Sequence, residues 1–379
     1  MNDQETLELA QRLVRIDSVN PSLVPGAAGE SAIAHFVAGF LENRGLDVEL
    51  TDVLPGRPNV VARIPGTRGG PTLLLCCHMD TVSVEGMDEP FSGRIEAERL
   101  MGRGAEDVKG GLAAMLAAAV VLAEAPPPGD VLVAAVADEE AYSAGSEALL
   151  ASGLRADAAI VFEPTELNVA VAHKGFAWMG LETRGVAAHG SRPDEGVDAI
   201  AHMGRVLTAL EAHGRELARR PAHRFLGHGS VHASLIQGGR ELSSYPDRCR
   251  LDLERRTLPG ESREGVLREV EAVLDFLREN DPRFDGELSL SLFRPAFEVS
   301  QEERLPRALA ASVERFYGTA EFFGMTGWTD SALLAEAGIP AVVFGPGGSG
   351  LHGLHEYGDT LQICRCRDIL VHVAGMLST

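Results

Sequence analysis

Lysine is almost missing from this 379-residue sequence. Only Lys109 and Lys174 occur, and 34 basic side chains face 55 acidic ones, for a formal net charge of -21. Phosphate backbones and anionic lipid surfaces are bound by basic faces, so nucleic acid and membrane are excluded as partners. The acidic balance is expected to serve solubility, and the preference for arginine over lysine to reflect genome composition. Cysteine is sparse as well: Cys76, Cys77, Cys249, Cys364 and Cys366. Cys76 and Cys77 close the apolar run Leu73–Cys77 and read as strand interior, and Cys364-Arg365-Cys366 has neither the spacing nor the second pair of a zinc knuckle. A disulfide framework is therefore not expected. The start, Met1-Asn2-Asp3-Gln4-Glu5, carries no apolar signal region, and no apolar run spans membrane length without charge, glycine or proline. The cytoplasm is the expected location.

What is present is enough apolar residue, 45%, to bury a large core, in a chain long enough for two domains or one domain with an insertion. Helical spacing covers residues 5–16 and 29–44, the second ended by Gly45. Strand-like apolar runs follow at Val60–Ile64, Thr72–Cys77, Val131–Ala137 and Ala159–Phe162. An Ala/Leu/Val helix, Gly111–Ala125, lies between the second and third and is stopped by Pro126-Pro127-Pro128-Gly129. Short apolar strands alternating with helices predict an α/β domain, a mostly parallel sheet with helices on both faces. Near residue 176 the pattern changes. Trp178–Thr183 and Cys249–Glu254 alternate apolar and polar, and helices are expected at 198–219 and 265–278. After 296 the first pattern returns, with helices at 305–316 and 331–337 and a strand at Ala341–Phe344. The expected organisation is a domain of residues 1–176 and 296–379 interrupted by an α+β insert, 177–295.

Acidic and histidine residues gather at the C-terminal ends of the strands, where open α/β sheets place ligands. His78-Met79-Asp80 follows Thr72–Cys77, Asp107 precedes a helix, and Asp138-Glu139-Glu140 follows Val131–Ala137. Glu163 follows Ala159–Phe162, and His352 and His355 follow the last strand and the loop Gly345-Pro346-Gly347-Gly348-Ser349-Gly350. Imidazole and carboxylate suit divalent zinc, and a carboxylate can bridge two ions. Adjacent Glu139 and Glu140 could divide the tasks of base and ligand. Asp80, two residues on in an extended segment, faces the same side as His78 and could fix its tautomer. The glycine-rich loop lacks the Gly-Lys-Ser/Thr ending of a phosphate loop and is expected to be a flexible turn that delivers the histidine.

Seven segments in order then make the chain resemble the M20 family of metallopeptidases and deacylases. They are Cys77–Val82, Gly102–Gly111, Ala137–Glu140, Phe162–Thr165, Ala188–Pro193, Gly327–Asp330 and His352–Tyr357. The resemblance implies that His78 binds one metal and His352 the other. Asp107 bridges them, Glu163 completes the first site and Glu140 the second. It implies Glu139 as general base and proton donor, Asp80 as the residue orienting His78, and a cis peptide after Asp107. The family register favours His352 over His355. The insert resembles the family's dimerisation or lid domain, so a homodimer is expected, with His189 reaching the partner's site to stabilise an oxyanion. Arg256 matches an arginine that grips a substrate carboxylate. Two divalent ions are implied, zinc first, with cobalt or manganese as alternatives. The implied reaction is amide hydrolysis in small N-acyl amino acids, of the acetylornithine deacetylase or succinyl-diaminopimelate desuccinylase kind. A carboxypeptidase or dipeptidase of the same family is the alternative, and a non-catalytic metal-binding homologue a further one. Cys77, Glu106 and Gly358 depart from the common pattern without removing an implied ligand.

Overall fold

The computed structural model describes residues 1–377. Contacts divide the chain into two units: Met1–Val171 with Val299–Phe323 and Thr329 onward, and Ala172–Glu298 with Gly324–Trp328.

In the first unit the strand Gly70–His78 lies at the centre of a mixed sheet. It pairs in parallel with Gly129–Val136 on one side and Ala158–Val161 on the other, and Ala158–Val161 pairs in parallel with Ala341–Val343. The flanks are antiparallel: Arg57–Ile64 against Gly129–Val136, then the exposed edge strand Asp47–Leu54. Beyond Ala341–Val343, Val343 pairs antiparallel with Ala170. Leu73 to His78 are buried without a break. Successive strand residues point to opposite faces, so both faces of this strand are covered. The helix Lys109–Glu124 is buried nearly all round, as its Ala-Leu-Val composition demands. It packs against the helices Asp3–Val14 and Thr360–Met376 and against the sheet.

Register decides where the chemistry falls. His78 is paired with Val136, and Cys76 with Val161. His78 and Glu163 therefore leave adjacent strands at the same level, and Asp138-Glu139-Glu140 begins two residues past Val136. A small second sheet orders Gly348–Ser349, Tyr357–Asp359, Arg99–Met101 and Arg94–Glu96. It ties the loop before Asp107 to the loop carrying His352. That loop contains a tight turn: Gly350 has φ +96, and a Cβ there would meet the His355 carbonyl oxygen at 2.0 Å.

The second unit is a four-stranded antiparallel sheet in the order Ser230–Gly238, Arg248–Thr257, Gly175–Arg184, Asp285–Arg294. Arg248–Thr257 alternates buried residues with exposed or half-buried ones along its length. Cys249, Leu251 and Leu253 join Met179, Leu181 and residues of the helices Ala199–Leu217 and Arg263–Asn280 in one core. Asp198 and Ser262 cap those helices through the amides of Ala201 and Gly265. No described helix is long and apolar enough to cross a membrane.

Candidate metal centre

Each predicted ligand is delivered by a strand end or by a loop fastened to one. His78 ends the central strand and is 3% exposed. Its Nε2 lies 3.1 Å from Asp107 Oδ1. His352, held in a left-handed turn (φ +55), places Nε2 3.2 Å from Asp107 Oδ2 and 3.3 Å from Glu140 Oε2. The two oxygens of Asp107 thus face two different histidines. Ligand atoms of His78, Asp107 and Glu140 lie within 4.8 Å of one another, and so do those of His78, Glu139 and Glu163. The structure gives exposed His355 no hydrogen bond to any of these side chains. The Asp107–Val108 peptide is cis.

Asp80 differs in detail from the expectation. His78 Nδ1 donates to the main-chain oxygen of Asp80 at 3.0 Å, whereas the Asp80 carboxylate is 3.6 Å away. That carboxylate instead accepts the amides of Glu139 and Glu140, both at 3.1 Å, and the Asn20 side chain at 2.7 Å. Asp80 therefore holds the imidazole with its backbone and the Glu139-Glu140 loop with its side chain. A carbonyl oxygen can only accept, so Nδ1 carries a proton, and Nε2, turned toward Asp107, is the ring nitrogen available to a cation when the imidazole is neutral.

Sequence patterns did not assign several residues that shape the site. Glu356, 2% exposed, accepts the amides of Glu106 at 2.9 Å and Asp107 at 3.1 Å, and its other oxygen takes Arg103 Nη1 at 2.6 Å. Arg103 Nη2 also reaches the Gly353 carbonyl, joining the Asp107 loop to the His352 turn. Asp330, buried beside the cluster, bonds Ser146 Oγ at 2.5 Å through one oxygen, while the other has no hydrogen-bond partner. The His-Gly-Leu-His-Glu-Tyr motif contained Glu356, but no spacing rule marks it as a clamp.

Electrostatics separate these carboxylates. Burial pushes Glu139 well above the usual carboxylate range, with Glu163 adding repulsion, and burial with Asp107 does the same to Glu163. Burial and Asp107 lift Glu140 to about 7. Asp107 resists its burial because both histidines bond it, and it is held well below the usual range. The histidines respond in kind. Hydrogen bonds to Asp107 and Glu140 raise His352 to about 10, and bonds to Asp107 and Asp80 outweigh burial and raise His78. No described residue hydrogen-bonds the carboxyl groups of Glu139 or Glu163. Buried carboxylates in this number cannot all ionise without cations, and imidazole with carboxylate is the donor set of zinc and its neighbours. The residues present therefore fit two divalent ions.

In the second unit, exposed His189 accepts the Ser191 amide at Nδ1 (3.2 Å) and pairs there with Ser191 Oγ. Nδ1 acts as an acceptor, so the neutral ring carries its proton on Nε2. Arg256 sits opposite Phe176 in the sheet, its guanidinium 5.4 Å from that ring, and its Nε bonds Glu254 at 2.6 Å.

The fold and the donor set define a hydrolase of the metallopeptidase class. Residues 74–375 match Peptidase family M20/M25/M40, and the chain belongs to that family. It is similar to the N-formyl-4-amino-5-aminomethyl-2-methylpyrimidine deformylase of Bacillus subtilis (strain 168), with 29% identity over 394 residues covering 95% of this chain and 91% of the relative. It is similar also to the acetylornithine deacetylase of Myxococcus xanthus, with 31% identity over 349 residues covering 88% of this chain and 89% of the relative. Its fold matches the YXEP protein of Bacillus subtilis, a dinuclear metal-binding peptidase from the M20 family. The TM-score is 0.76 at 17% identity, over 100% of this chain and 99% of that one.

Proposed function

We propose that this protein hydrolyses the amide bond of small N-acyl amino acids, as a deacetylase or desuccinylase does, with two divalent ions, zinc first and cobalt or manganese as alternatives. The observation that carries the reading is Asp107, whose two oxygens face His78 and His352 at 3.1 and 3.2 Å. In this reading His78, Asp107 and Glu163 hold one ion, and His352, Asp107 and Glu140 the other. The ions, when bound, lower the pKa of a water and polarise the scissile carbonyl. Glu139, whose carboxyl no described residue claims, takes the water's proton and passes it to the leaving nitrogen. Asp80 holds Glu139 and His78 in place. His189, supplied by a second copy, donates its Nε2 proton to the developing oxyanion. Arg256 receives the substrate carboxylate with the two Nη groups that Glu254 does not occupy.

The two relatives at 29% and 31% identity remove a small acyl group by their names, the formyl and the acetyl group, and this supports deacylation over dipeptide cleavage, although the YXEP protein, at 17% identity, is named a peptidase. Residues 177–295 act as lid and dimerisation domain in this reading. The exposed sheet edge Ser230–Gly238, with Leu235 68% and Ile236 56% exposed, supports a homodimer. Five unpaired, buried cysteines fit a cytoplasmic setting.

The test is a substrate panel with the zinc-loaded protein: N-formyl, N-acetyl and N-succinyl amines and amino acids beside dipeptides. Turnover should fall on the N-acyl members, vanish with chelator and return with metal. Cleavage of dipeptides alone would move the assignment to the peptidases, and no turnover with bound metal would remove it.

A further inference from the structure

Behind the ligands lies a buried polar network that the mechanism above does not use. Arg57, at the start of the strand Arg57–Ile64, is 7% exposed and far from any predicted ligand in sequence. Its Nε and Nη2 hold both oxygens of Glu30 at 2.6 Å. Nη2 also reaches Asp138 Oδ1 at 2.8 Å and Asn20 Oδ1 at 3.0 Å, and Nη1 reaches Ser22 Oγ at 2.8 Å. Asn20 turns its amide group to Asp80 Oδ2 at 2.7 Å and to Asp138 Oδ1 at 3.1 Å. Asn20, Glu30, Asp80 and Asp138 are each at most 1% exposed.

Asp138 has φ +68, a left-handed backbone that a residue with a side chain adopts only when its surroundings hold it there. The holding groups are visible. The Asp138 amide donates to Glu30 Oε1 at 3.0 Å, and its carboxylate is taken by Arg57, Asn20 and Ser22. The Asp138 carbonyl accepts the amides of Tyr142 and Ser143, closing the turn. Two residues along from Arg57, Asn59 bonds the amide of Ala137 and the carbonyl of Gly145, fastening the base of the same loop. The turn fixes the direction in which Glu139 and Glu140 leave the sheet, and their amides go to Asp80.

We propose that Arg57 is a positioning residue of the hydrolase site, its planar fork holding Asp138 and Asn20 so that the turn aims Glu139 and Glu140 at the metal ligands. This rests on the roles assigned to those two glutamates under the proposed function. One guanidinium reaches both anchors of the loop, Asp138 directly and Asp80 through Asn20. A lysine would supply a single nitrogen in place of three spaced donors and could not satisfy Glu30, Asp138 and Ser22 together.

The experiment compares full-length wild type with Arg57→Met, Arg57→Lys and the milder Asp138→Asn, which keeps a side chain tolerant of the left-handed turn. Hydrogen exchange is followed in the metal-free proteins, Co2+ binding by visible absorption of the protein with that metal alone, and kcat and KM on the best panel substrate. For every variant that folds, peptides over 138–143 should lose protection while those over 73–77 keep it. Co2+ affinity and kcat should drop about 10- to 100-fold, with KM little changed and Arg57→Lys failing to restore them. If Arg57→Met does not fold, Arg57→Lys and Asp138→Asn carry the same comparison. Folded variants with wild-type exchange at 138–143 and wild-type Co2+ affinity overturn the proposal, leaving Arg57 a stabilising residue only. If wild type turns over nothing on the panel, the hydrolase reading fails, and the exchange and Co2+ arms still decide on Arg57.

Discussion

Replacing Asp80 by asparagine separates the two tasks of that residue. The carboxylate is buried. Its Oδ2 accepts Asn20 Nδ2 at 2.7 Å and the Glu140 amide at 3.1 Å, and its Oδ1 accepts the Glu139 amide at 3.1 Å. Asparagine brings one acceptor oxygen. With that oxygen on the Oδ2 side its NH2 meets the Glu139 N–H, donor against donor, and the opposite flip meets two donors. Losing a hydrogen bond to a charged acceptor costs about 1.5–3 kcal/mol, and a buried amide left without a partner about 1–3 kcal/mol. The two losses overlap, so the expected destabilisation is about 2–4 kcal/mol. His78 is expected to keep its orientation, because Nδ1 donates to the Asp80 main-chain oxygen, which the substitution preserves. Turnover should fall about 10- to 100-fold through the loosened Glu139-Glu140 loop. Urea unfolding of the metal-free protein gives the first quantity and kcat of the zinc-loaded protein the second. Stability within about 0.5 kcal/mol of wild type would refute the reasoning, since the carboxylate would then not be carrying the loop amides.

Glu139→Gln should bind Co2+ with the wild-type absorption spectrum and lose at least about 100-fold in kcat; wild-type turnover would remove Glu139 as the base. Mixing Glu139→Gln with His189→Ala, each nearly inactive alone, should restore activity as subunits exchange, and no recovery would show that His189 does not act on a second copy. For pH, a carboxyl group with a raised folded pKa stabilises most below its ordinary value and stops doing so as pH rises through the folded value. Glu140, at about 7, follows that course between 4.5 and 7, and His352, at about 10, does so at higher pH. Divalent zinc displaces these protons, so the difference in melting temperature between zinc-loaded and chelator-treated protein should widen from pH 5 to pH 8, and a constant difference would contradict the assignment of these ligands.

Several of the segments proposed to carry ligands stood out because they combine a short apolar strand with a charged residue at its C-terminal end, a conjunction that solvated loops rarely repeat. His78, Asp107, Glu139, Glu140, Glu163 and His352 all carry that mark or the family motif. Arg57, Asn20 and Glu30 carry none. Each is a single polar residue in an unremarkable context, and only the folded chain makes it the partner of Asp138. The same holds for the double use of Asp80, where the side of the strand was readable but the competition between its carbonyl and its carboxylate for His78 was not. Elements went unread where the apolar pattern is weak. Ser230–Gly238 is an edge strand with almost every residue exposed, so its alternation has no buried side to report. Thr360–Met376 buries Gln362 and Arg367 among its apolar residues, Arg367 being bonded to Asp3, Thr6 and Asp368, which blurs the helical stripe.

Two contrasting groups of carboxylates at this end of the sheet show how a charged cluster can be built into a folded core. Asp80, Asp138 and Glu356 spend their oxygens on backbone amides, asparagine and arginine. Each of these bonds fixes a loop. For Asp80, His78 first and then Asn20 and the Glu140 amide outweigh burial and hold its pKa below the usual range, whereas burial still raises Glu356. Glu139 and Glu163 receive no such bonds, Glu140 only that of His352, and all three are pushed up. Their lone pairs are the ones a cation or a reacting water can use. Glu139 and Glu163 are left without such donors, and in the proposed reading the folded frame, not the contacts of these carboxylates, must offset that cost. Changes in the frame should therefore move loop order, metal affinity and turnover together, whereas changes in a ligand or in Glu139 should move metal binding or turnover while the loops stay ordered.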